Sequence, residues 1–152
     1  MEMQSTVVWT DGMAFDVELE GFHFAIDADA EFGGRGLGPK PKGLLLSSLI
    51  GCTAMDVIAI LGKMRVVPAT FEVSADSVLT DDHPKKFQTI TLRYSFTGDD
   101  LPPNKVRRAV SLSEERYCGV RATLAPVVEI GHEIWVNGAP LADEAPQEAA
   151  TD

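Results

Sequence analysis

Cysteine is scarce in this chain, whose 152 residues include only Cys52 and Cys118. Two cysteines cannot form the dense disulfide framework that stabilises small secreted domains, so that class of protein is excluded. Neither cysteine belongs to a Cys-x-x-Cys motif, and residues 1–5 contain no basic segment followed by an apolar one. We therefore expect no secretory signal and a reducing, cytoplasmic location. A cysteine pair in that compartment is more often catalytic, metal-binding or inert than a structural disulfide.

Basic residues are also few: 13 lysines and arginines stand against 23 acidic residues, which gives a net charge of −10. An acidic surface repels phosphate backbones and is not attracted to anionic lipid, so neither nucleic acid nor a membrane is an expected partner. A chain of this length has room for one domain, which we place at residues 1–138. We expect residues 139–152 to be a disordered acidic tail without a function.

Long apolar runs are rare as well, and one extends over residues 44–61. A membrane span would place Asp56 deep in the bilayer, where a charge costs about 3 kcal/mol. A helix that is apolar on nearly every side is also typical of a fully buried helix in a globular protein. We therefore predict a long buried central helix from about Gly43 to Met64, which Pro68 prevents from continuing.

Strand patterns lie on both sides of this helix. Polar and apolar residues alternate over residues 15–19 and 22–26, and a turn signal precedes each run, which predicts an N-terminal three-stranded meander. Alternation over residues 71–75 and 90–96 predicts a strand pair, and residues 128–136 predict a final strand. The segment rich in glycine and proline at residues 28–42 predicts a long loop, which in a small domain is often functional.

A second helix is predicted from Pro102-Pro103 to about Tyr117, because proline is tolerated in a first turn. Its periodicity divides it into two faces: an inner stripe of Val106, Ala109, Val110 and Ser113, and an outer face with Arg107, Arg108, Glu114 and Glu115. We expect Cys118-Gly119 to end this helix with a left-handed glycine cap. The element order describes an α+β domain. Because one layer of strands cannot enclose so apolar a central helix, we expect a homodimer.

The two cysteines lie in segments that resemble one known family. On their own, cysteines in buried helices are more often small hydrophobes than reactive groups. Residues 41–57 read PKGLLLSSLIGCTAMDV, and residues 112–124 read LSEERYCGVRATL. These segments, together with the separation of the two cysteines, resemble the OsmC/Ohr family over about residues 38–136. The first segment is most similar to OsmC-like members with a Gly-Cys-Thr-Ala-x-Asp central helix.

The resemblance implies both a fold and an activity. The fold is an intertwined homodimer with the long helices packed centrally and active sites at the subunit boundary. The activity is that of a thiol peroxidase, in which Cys52 reduces an organic hydroperoxide to an alcohol and becomes a sulfenic acid. Cys118 then forms a disulfide with Cys52, and an external dithiol, such as a dihydrolipoyl group, reopens it. No cofactor and no metal are expected, and an apolar pocket would favour organic hydroperoxides over hydrogen peroxide.

A reactive thiolate inside a helix needs a cation close to it, since burial disfavours the charged form. The family's peroxidases pair their reactive cysteine with an arginine and with a glutamate just after a proline. Arg35 in the glycine-rich loop is the candidate cation, and a solvated loop arginine is the alternative. Pro41 matches the proline, whereas Lys42 and Gly43 stand where the glutamate is expected. This departure favours a second hypothesis, a non-catalytic OsmC-fold dimer that binds a small apolar or electrophilic ligand.

Two further residues lie one helical turn from Cys52. Asp56 is interpreted as a helix-packing group bonded across a dimer, with tuning of the site as the alternative. Ser48 lines a pocket or, as a small residue, eases the approach of another helix. His132 is predicted to be a hydrogen-bonded core histidine, because it falls on the apolar face of the last strand. No histidine has a spacing that suggests zinc.

Overall fold

The computed structural model describes residues 2–142 and has the predicted α+β architecture. The chain divides into two compact units, and the boundary between them in the sequence falls between Ser48 and Leu49. Most of the expected acidic tail, from residue 143 onward, lies outside the described residues. Residues 139 and 140 form a short strand, so regular structure continues past the domain boundary expected at residue 138.

The first unit begins with the predicted antiparallel meander. It comprises three strands in sequential order: β1 (Ser5–Asp11), β2 (Ala14–Leu19) and β3 (Phe22–Ile26). The turns between them are tight because Gly12 and Gly21 have φ angles of 56° and 84°, which glycine adopts without steric cost. Ala14 and Val17 on β2 are buried, whereas β1 is exposed along its whole length in the single chain.

The loop after β3 is organised by the buried carboxylate of Asp27. Its Oδ2 accepts hydrogen bonds from the backbone N–H groups of Arg35 at 2.8 Å and Leu37 at 3.2 Å, and its Oδ1 accepts one from Ala28 at 2.8 Å. These bonds from Arg35, Leu37 and Ala28 lower the pKa of Asp27, because they stabilise its charged form. The loop they hold contains one short 3₁₀ helix, Ala30–Phe32.

Helix α1 (Pro41–Lys63) confirms the predicted long helix and begins slightly earlier, with proline in its first turn. Its buried stripe consists of Leu49, Thr53, Val57, Ile60 and Leu61. The opposite side is exposed in the single chain, where Met55 is 71% and Ile58 45% accessible. The length and hydropathy of α1 would suit a membrane span, and the core helices of globular proteins meet the same criteria. Burial within one chain therefore covers one side of α1.

The second unit contains a mixed four-stranded sheet. Its strands, in spatial order, are β4 (Thr70–Leu79), β5 (Phe87–Thr97), β6 (Glu129–Val136) and β7 (Ala139–Pro140). The predicted strand pair β4–β5 is antiparallel, whereas β5 and β6 run parallel and therefore need a crossover connection. The buried face of β5 comprises Ile90, Leu92, Tyr94 and Phe96. Alternation cannot predict β7, because a strand of two residues shows none.

The crossover between β5 and β6 is helical. It consists of α2 (Pro103–Leu112), a π-helical turn (Ser113–Tyr117) and α3 (Gly119–Leu124). The predicted inner stripe of α2 is buried at Val106, Ala109 and Val110. The predicted position of Glu114 on the outer face is wrong, since its side chain is 7% exposed. Glu114 is the second residue of the π turn, and its carboxylate contacts Tyr94 and His132 instead of solvent.

The predicted left-handed cap at Gly119 is also wrong. Gly119 begins α3, and Cys118 before it has an extended backbone with φ −70° and ψ 97°. Cys118 is the N-cap of α3, because its Sγ accepts a hydrogen bond from the Arg121 N–H at 3.4 Å. The second cysteine is therefore held between two helical segments rather than at the end of one.

Replacing Asp27 with asparagine is expected to lower the melting temperature at neutral pH, because an amide nitrogen cannot accept the backbone N–H bonds. The pKa of Asp27 is lowered in the folded state. Its contribution to the stability of the fold is therefore present above the ordinary carboxyl pKa and is lost as the pH falls. The Tm difference between Asp27→Asn and wild type should therefore narrow in acid. The control is Asp76→Asn, at an exposed position on β4. Equal Tm values for both variants at neutral pH would contradict the role given to Asp27.

Candidate active site

The structure brings the two cysteines of the second unit together. Cys52 lies in the middle of α1, and Cys118 lies at the N-cap of α3. Their Sγ atoms and a carboxylate oxygen of Asp56 all lie within 4.8 Å of one another. Cys52 and Asp56 are one turn apart on α1, a spacing that places both side chains on the same face of the helix. Three of the five predicted site residues therefore form one cluster.

Cys118 is the more protected of the two thiols. It is 2% exposed, whereas Cys52 is half-buried. Burial raises the pKa of Cys118 to about 11, and the hydrogen bond with Cys52 and the negative charges of Cys52 and Asp56 act in the same direction. The Arg121 N–H opposes them in part. Cys118 therefore keeps its proton at neutral pH and is placed to donate it in a hydrogen bond to Cys52.

Asp56 has a hydrogen-bond partner in its own chain. The Ser113 hydroxyl donates to Asp56 Oδ2 at 3.1 Å, from the first position of the π-helical turn. Sequence reasoning interpreted Asp56 as bonded across a dimer, and the bond in the structure is to a neighbouring segment of the same chain. Ser113 is fully buried, so this bond fixes the carboxylate against a rigid part of the second unit.

A chain of buried polar groups continues from Ser113 to the sheet. The Thr53 hydroxyl lies 2.8 Å from the Ser113 hydroxyl and 2.8 Å from the Tyr94 hydroxyl. Tyr94 donates to Glu114 Oε1 at 3.1 Å. Glu114 Oε2 lies 2.9 Å from Nδ1 of His132 and 3.5 Å from the guanidinium of Arg121. This hydroxyl–carboxylate network connects both cysteine segments with β5 and β6.

Two residues of the network correct or extend the sequence interpretation. His132 is hydrogen-bonded as predicted, but it lies at the surface rather than in the core. Burial raises the pKa of Tyr94, and the charge of Glu114 raises it further, so the phenol stays protonated and donates. Every buried side-chain nitrogen or oxygen in the described part of the chain has a hydrogen-bond partner. The buried polar side chains around the two cysteines are therefore held in place by hydrogen bonds.

Arg35 and Ser48 belong to the first unit. The guanidinium of Arg35 forms an ion pair with Asp11 at 2.9 Å, and both side chains are more than half exposed. The backbone N–H of Arg35 is held by Asp27, which fixes where this loop residue emerges. Ser48 is exposed and lies one turn before Cys52 on α1. The role of either residue at the cysteines stays a prediction.

Comparison with known proteins identifies the family. The model of the OsmC-like protein family matches residues 33–133, which include both cysteine segments. The chain belongs to the OsmC-like family. It is 36% identical to Protein YhfA of Escherichia coli strain K12 over 137 residues, which cover 90% of this chain and 100% of that protein.

Solved OsmC-like structures share the fold. An organic hydroperoxide resistance protein OsmC from Legionella pneumophila has a TM-score of 0.68 at 17% identity, covering 90% of this chain and 98% of that chain. The organic hydroperoxide resistance protein OhrB of Bacillus subtilis has a TM-score of 0.64 at 18% identity, covering 88% of this chain and 98% of that chain. At these identities the likeness concerns the fold, and it confirms the fold class predicted from the sequence.

Alkylation is expected to distinguish the two thiols. In the reduced protein near neutral pH, iodoacetamide should modify Cys52 well before Cys118, because Cys118 is buried and its pKa is about 11. Modification of Cys118 should accelerate only as the pH rises towards that value. Peptide mass mapping over time measures both rates, and the urea-unfolded chain, in which both thiols react alike, is the control. Equal rates in the folded protein would refute the protected state of Cys118.

Loss of the Tyr94 hydroxyl is expected to destabilise the second unit. Tyr94→Phe removes one hydrogen bond from Thr53 and one from Glu114, which together cost about 1–3 kcal/mol. Urea unfolding followed by circular dichroism measures the change in the free energy of unfolding. Tyr117→Phe is the matched control, because Tyr117 is 60% exposed and should change little. Similar losses in the two variants would show that the network does not stabilise the fold.

Proposed function

We propose that this OsmC-like protein is a cytoplasmic thiol peroxidase that reduces organic hydroperoxides to alcohols. One observation carries the proposal: the half-buried Cys52 Sγ lies within 4.8 Å of the buried Cys118 Sγ. A two-cysteine peroxidase needs one thiol that a substrate reaches and a second that is close enough to form a disulfide with it. Two structures with the same fold are named as organic hydroperoxide resistance proteins, which agrees with this activity.

In the first step the Cys52 thiolate attacks the distal oxygen of the hydroperoxide. The O–O bond breaks, Cys52 becomes a sulfenic acid, and the alkoxide leaves as the alcohol after it takes a proton. The Cys118 thiol is a suitable donor, because its raised pKa keeps the proton on sulfur until a stronger base forms beside it. An alkoxide is such a base. Proton transfer therefore generates the second thiolate only when it is needed.

In the second step the Cys118 thiolate attacks the Cys52 sulfur. Hydroxide leaves and is protonated to water, and a Cys52–Cys118 disulfide forms. Disulfide formation brings the two sulfurs to about 2.05 Å, so the proposed step requires Cys52 and Cys118 to move closer together. An external dithiol, such as a dihydrolipoyl group, then reduces the disulfide and restores both thiols.

The proposed active form is a homodimer with Arg35 as the cation near Cys52. Met55 and Ile58 are exposed on one side of α1, and β1 is exposed along its length, so a single chain leaves apolar surface uncovered. Soluble monomers rarely leave such surface without a partner. Lys42 and Gly43 replace the family's glutamate, and in the single chain Arg35 pairs with Asp11 instead. Asp11 is thus a substitute carboxylate for orienting this arginine.

A second candidate function is ligand binding without turnover. The first unit contains a cavity of about 300 Å³ whose lining is mostly apolar and includes Val7, Met13, Phe15, Ile26 and Pro41. A cavity of this size accepts a small apolar molecule. If the departure at Lys42 and Gly43 has removed catalysis, this cavity is where an apolar ligand would be held.

Peroxide consumption tests the proposal. With cumene hydroperoxide and excess dihydrolipoamide, Cys52→Ser should reduce kcat/KM by on the order of 100-fold or more, because the attacking sulfur is lost. In a separate reaction without the dithiol, Cys118→Ser should release one alcohol per chain and then stop, with a sulfenic acid on Cys52 that dimedone traps. Wild-type protein no faster than Cys52→Ser, from samples shown to be folded and reduced, would reject the peroxidase and favour the ligand-binding alternative.

A further inference from the structure

The cysteine cluster contains the donor atoms of a metal site. Two thiol sulfurs and one carboxylate oxygen lie within 4.8 Å of one another at Cys52, Asp56 and Cys118. Two of the three come from one face of α1, a rigid element, and the third comes from the N-cap of α3. Zinc binds thiolate sulfur at about 2.3 Å and carboxylate oxygen at about 2.0–2.2 Å. Two sulfurs bound to one tetrahedral zinc ion are therefore about 3.8 Å apart, a separation that lies within the 4.8 Å limit on the distances between these atoms.

Neighbouring groups orient these donors in the way that metal ligands are usually oriented. The Ser113 hydroxyl holds Asp56 by Oδ2, so the second carboxylate oxygen can bind a metal. Ser113 is itself fixed by the buried hydroxyl of Thr53 at 2.8 Å. The backbone N–H of Arg121 is directed at the Cys118 sulfur at 3.4 Å, a contact that also stabilises a metal-bound thiolate. Such outer contacts typically change metal affinity by about 10- to 100-fold.

The charge of the cluster also suits a cation. When a divalent ion displaces the two thiol protons, it neutralises two of the three negative charges of the resulting thiolates and carboxylate. Within residues 49–142 Asp56 accepts a hydrogen bond from the neutral Ser113 hydroxyl, and the ion pairs of that part of the chain join other residues. Soft sulfur donors select Zn²⁺ over Mg²⁺ or Ca²⁺, which prefer sites made wholly of oxygen.

We propose that the reduced protein binds one Zn²⁺ ion per chain through the Cys52 and Cys118 sulfurs and the Asp56 carboxylate, with a fourth position open to water. Binding displaces the two thiol protons and forms two S–Zn bonds, with no change in oxidation state. The same two sulfurs cannot bind zinc and form a disulfide at the same time, so only the reduced protein binds the metal. Zinc binding requires no turnover, so it and the proposed peroxidase activity can succeed or fail independently.

Titration of the reduced protein under anaerobic conditions tests this site. Co²⁺, a spectroscopic substitute for Zn²⁺, should produce thiolate-to-cobalt charge-transfer absorption and the visible bands of a tetrahedral ion, which saturate at one ion per chain. Zn²⁺ should then displace Co²⁺, and competition with a chromophoric chelator gives its Kd. No peroxide is present, so a protein without peroxidase activity still gives a result. Absence of the charge-transfer band, or saturation below one ion per chain, would overturn the proposal.

Variants distinguish a zinc site with three defined ligands from two neighbouring thiols that bind metal without the carboxylate. Asp56→Asn should raise the Kd for Zn²⁺ by at least about 10-fold, because it removes a ligand. Ser113→Ala should raise the Kd by about 10-fold, because it removes the hydrogen bond that orients the Asp56 carboxylate. Asp76→Asn, an exposed carboxylate on β4, should leave the Kd unchanged. If Asp56→Asn fails to fold by circular dichroism, Cys52→Ser provides the second test and should lose the tetrahedral cobalt spectrum. An unchanged Kd in folded Asp56→Asn would refute the three-ligand site.

Discussion

The buried hydroxyl of Thr53 fixes how the C-terminal part of α1 lies against the rest of the second unit. It bonds the hydroxyls of Ser113 and Tyr94, each at 2.8 Å, and so joins the helix to the π turn and to the central strand. A buried hydroxyl without a partner costs about 1–3 kcal/mol, so a shift of α1 by one residue would be opposed at three polar groups at once. Cys52 precedes Thr53 in the chain, and its position relative to Cys118 follows from this register.

The π-helical turn also helps to position the groups around the two cysteines. Its first residue, Ser113, donates to Asp56, and its second, Glu114, accepts from Tyr94. Cys118, which follows the turn, caps the next helix in an extended conformation. Irregular turns of this kind often occur at functional sites, where side chains must face directions that regular spacing does not offer.

Much of the fold could be predicted from local pattern. The meander, the long helix and the β4–β5 pair each have a periodicity or an apolar run of their own, and each is present. The π turn, α3 and β7 could not be predicted in this way, because they depend on tertiary contacts such as those of Ser113 and Glu114. Of the site, the family resemblance indicated Cys52 and Cys118 and suggested Arg35, whose role stays a prediction, and Asp56 was considered because it lies one turn from Cys52. Thr53 and Arg121 lie in the two cysteine segments and Tyr94 lies on β5, and no spacing in the sequence shows that their side chains meet.

Two glycines of α1 show what the exposed side of this helix is suited for. Gly51 and Gly62 lie eleven positions apart, on the same side as Met55 and Ile58. Alanine at either position would favour the helix by about 1 kcal/mol, and within residues 49–142 no atom lies where its methyl group would be. Nothing in that part of the chain compensates for the weaker helix. A second helix packed along this side would compensate for it, because glycine has no side chain to keep two helix axes apart.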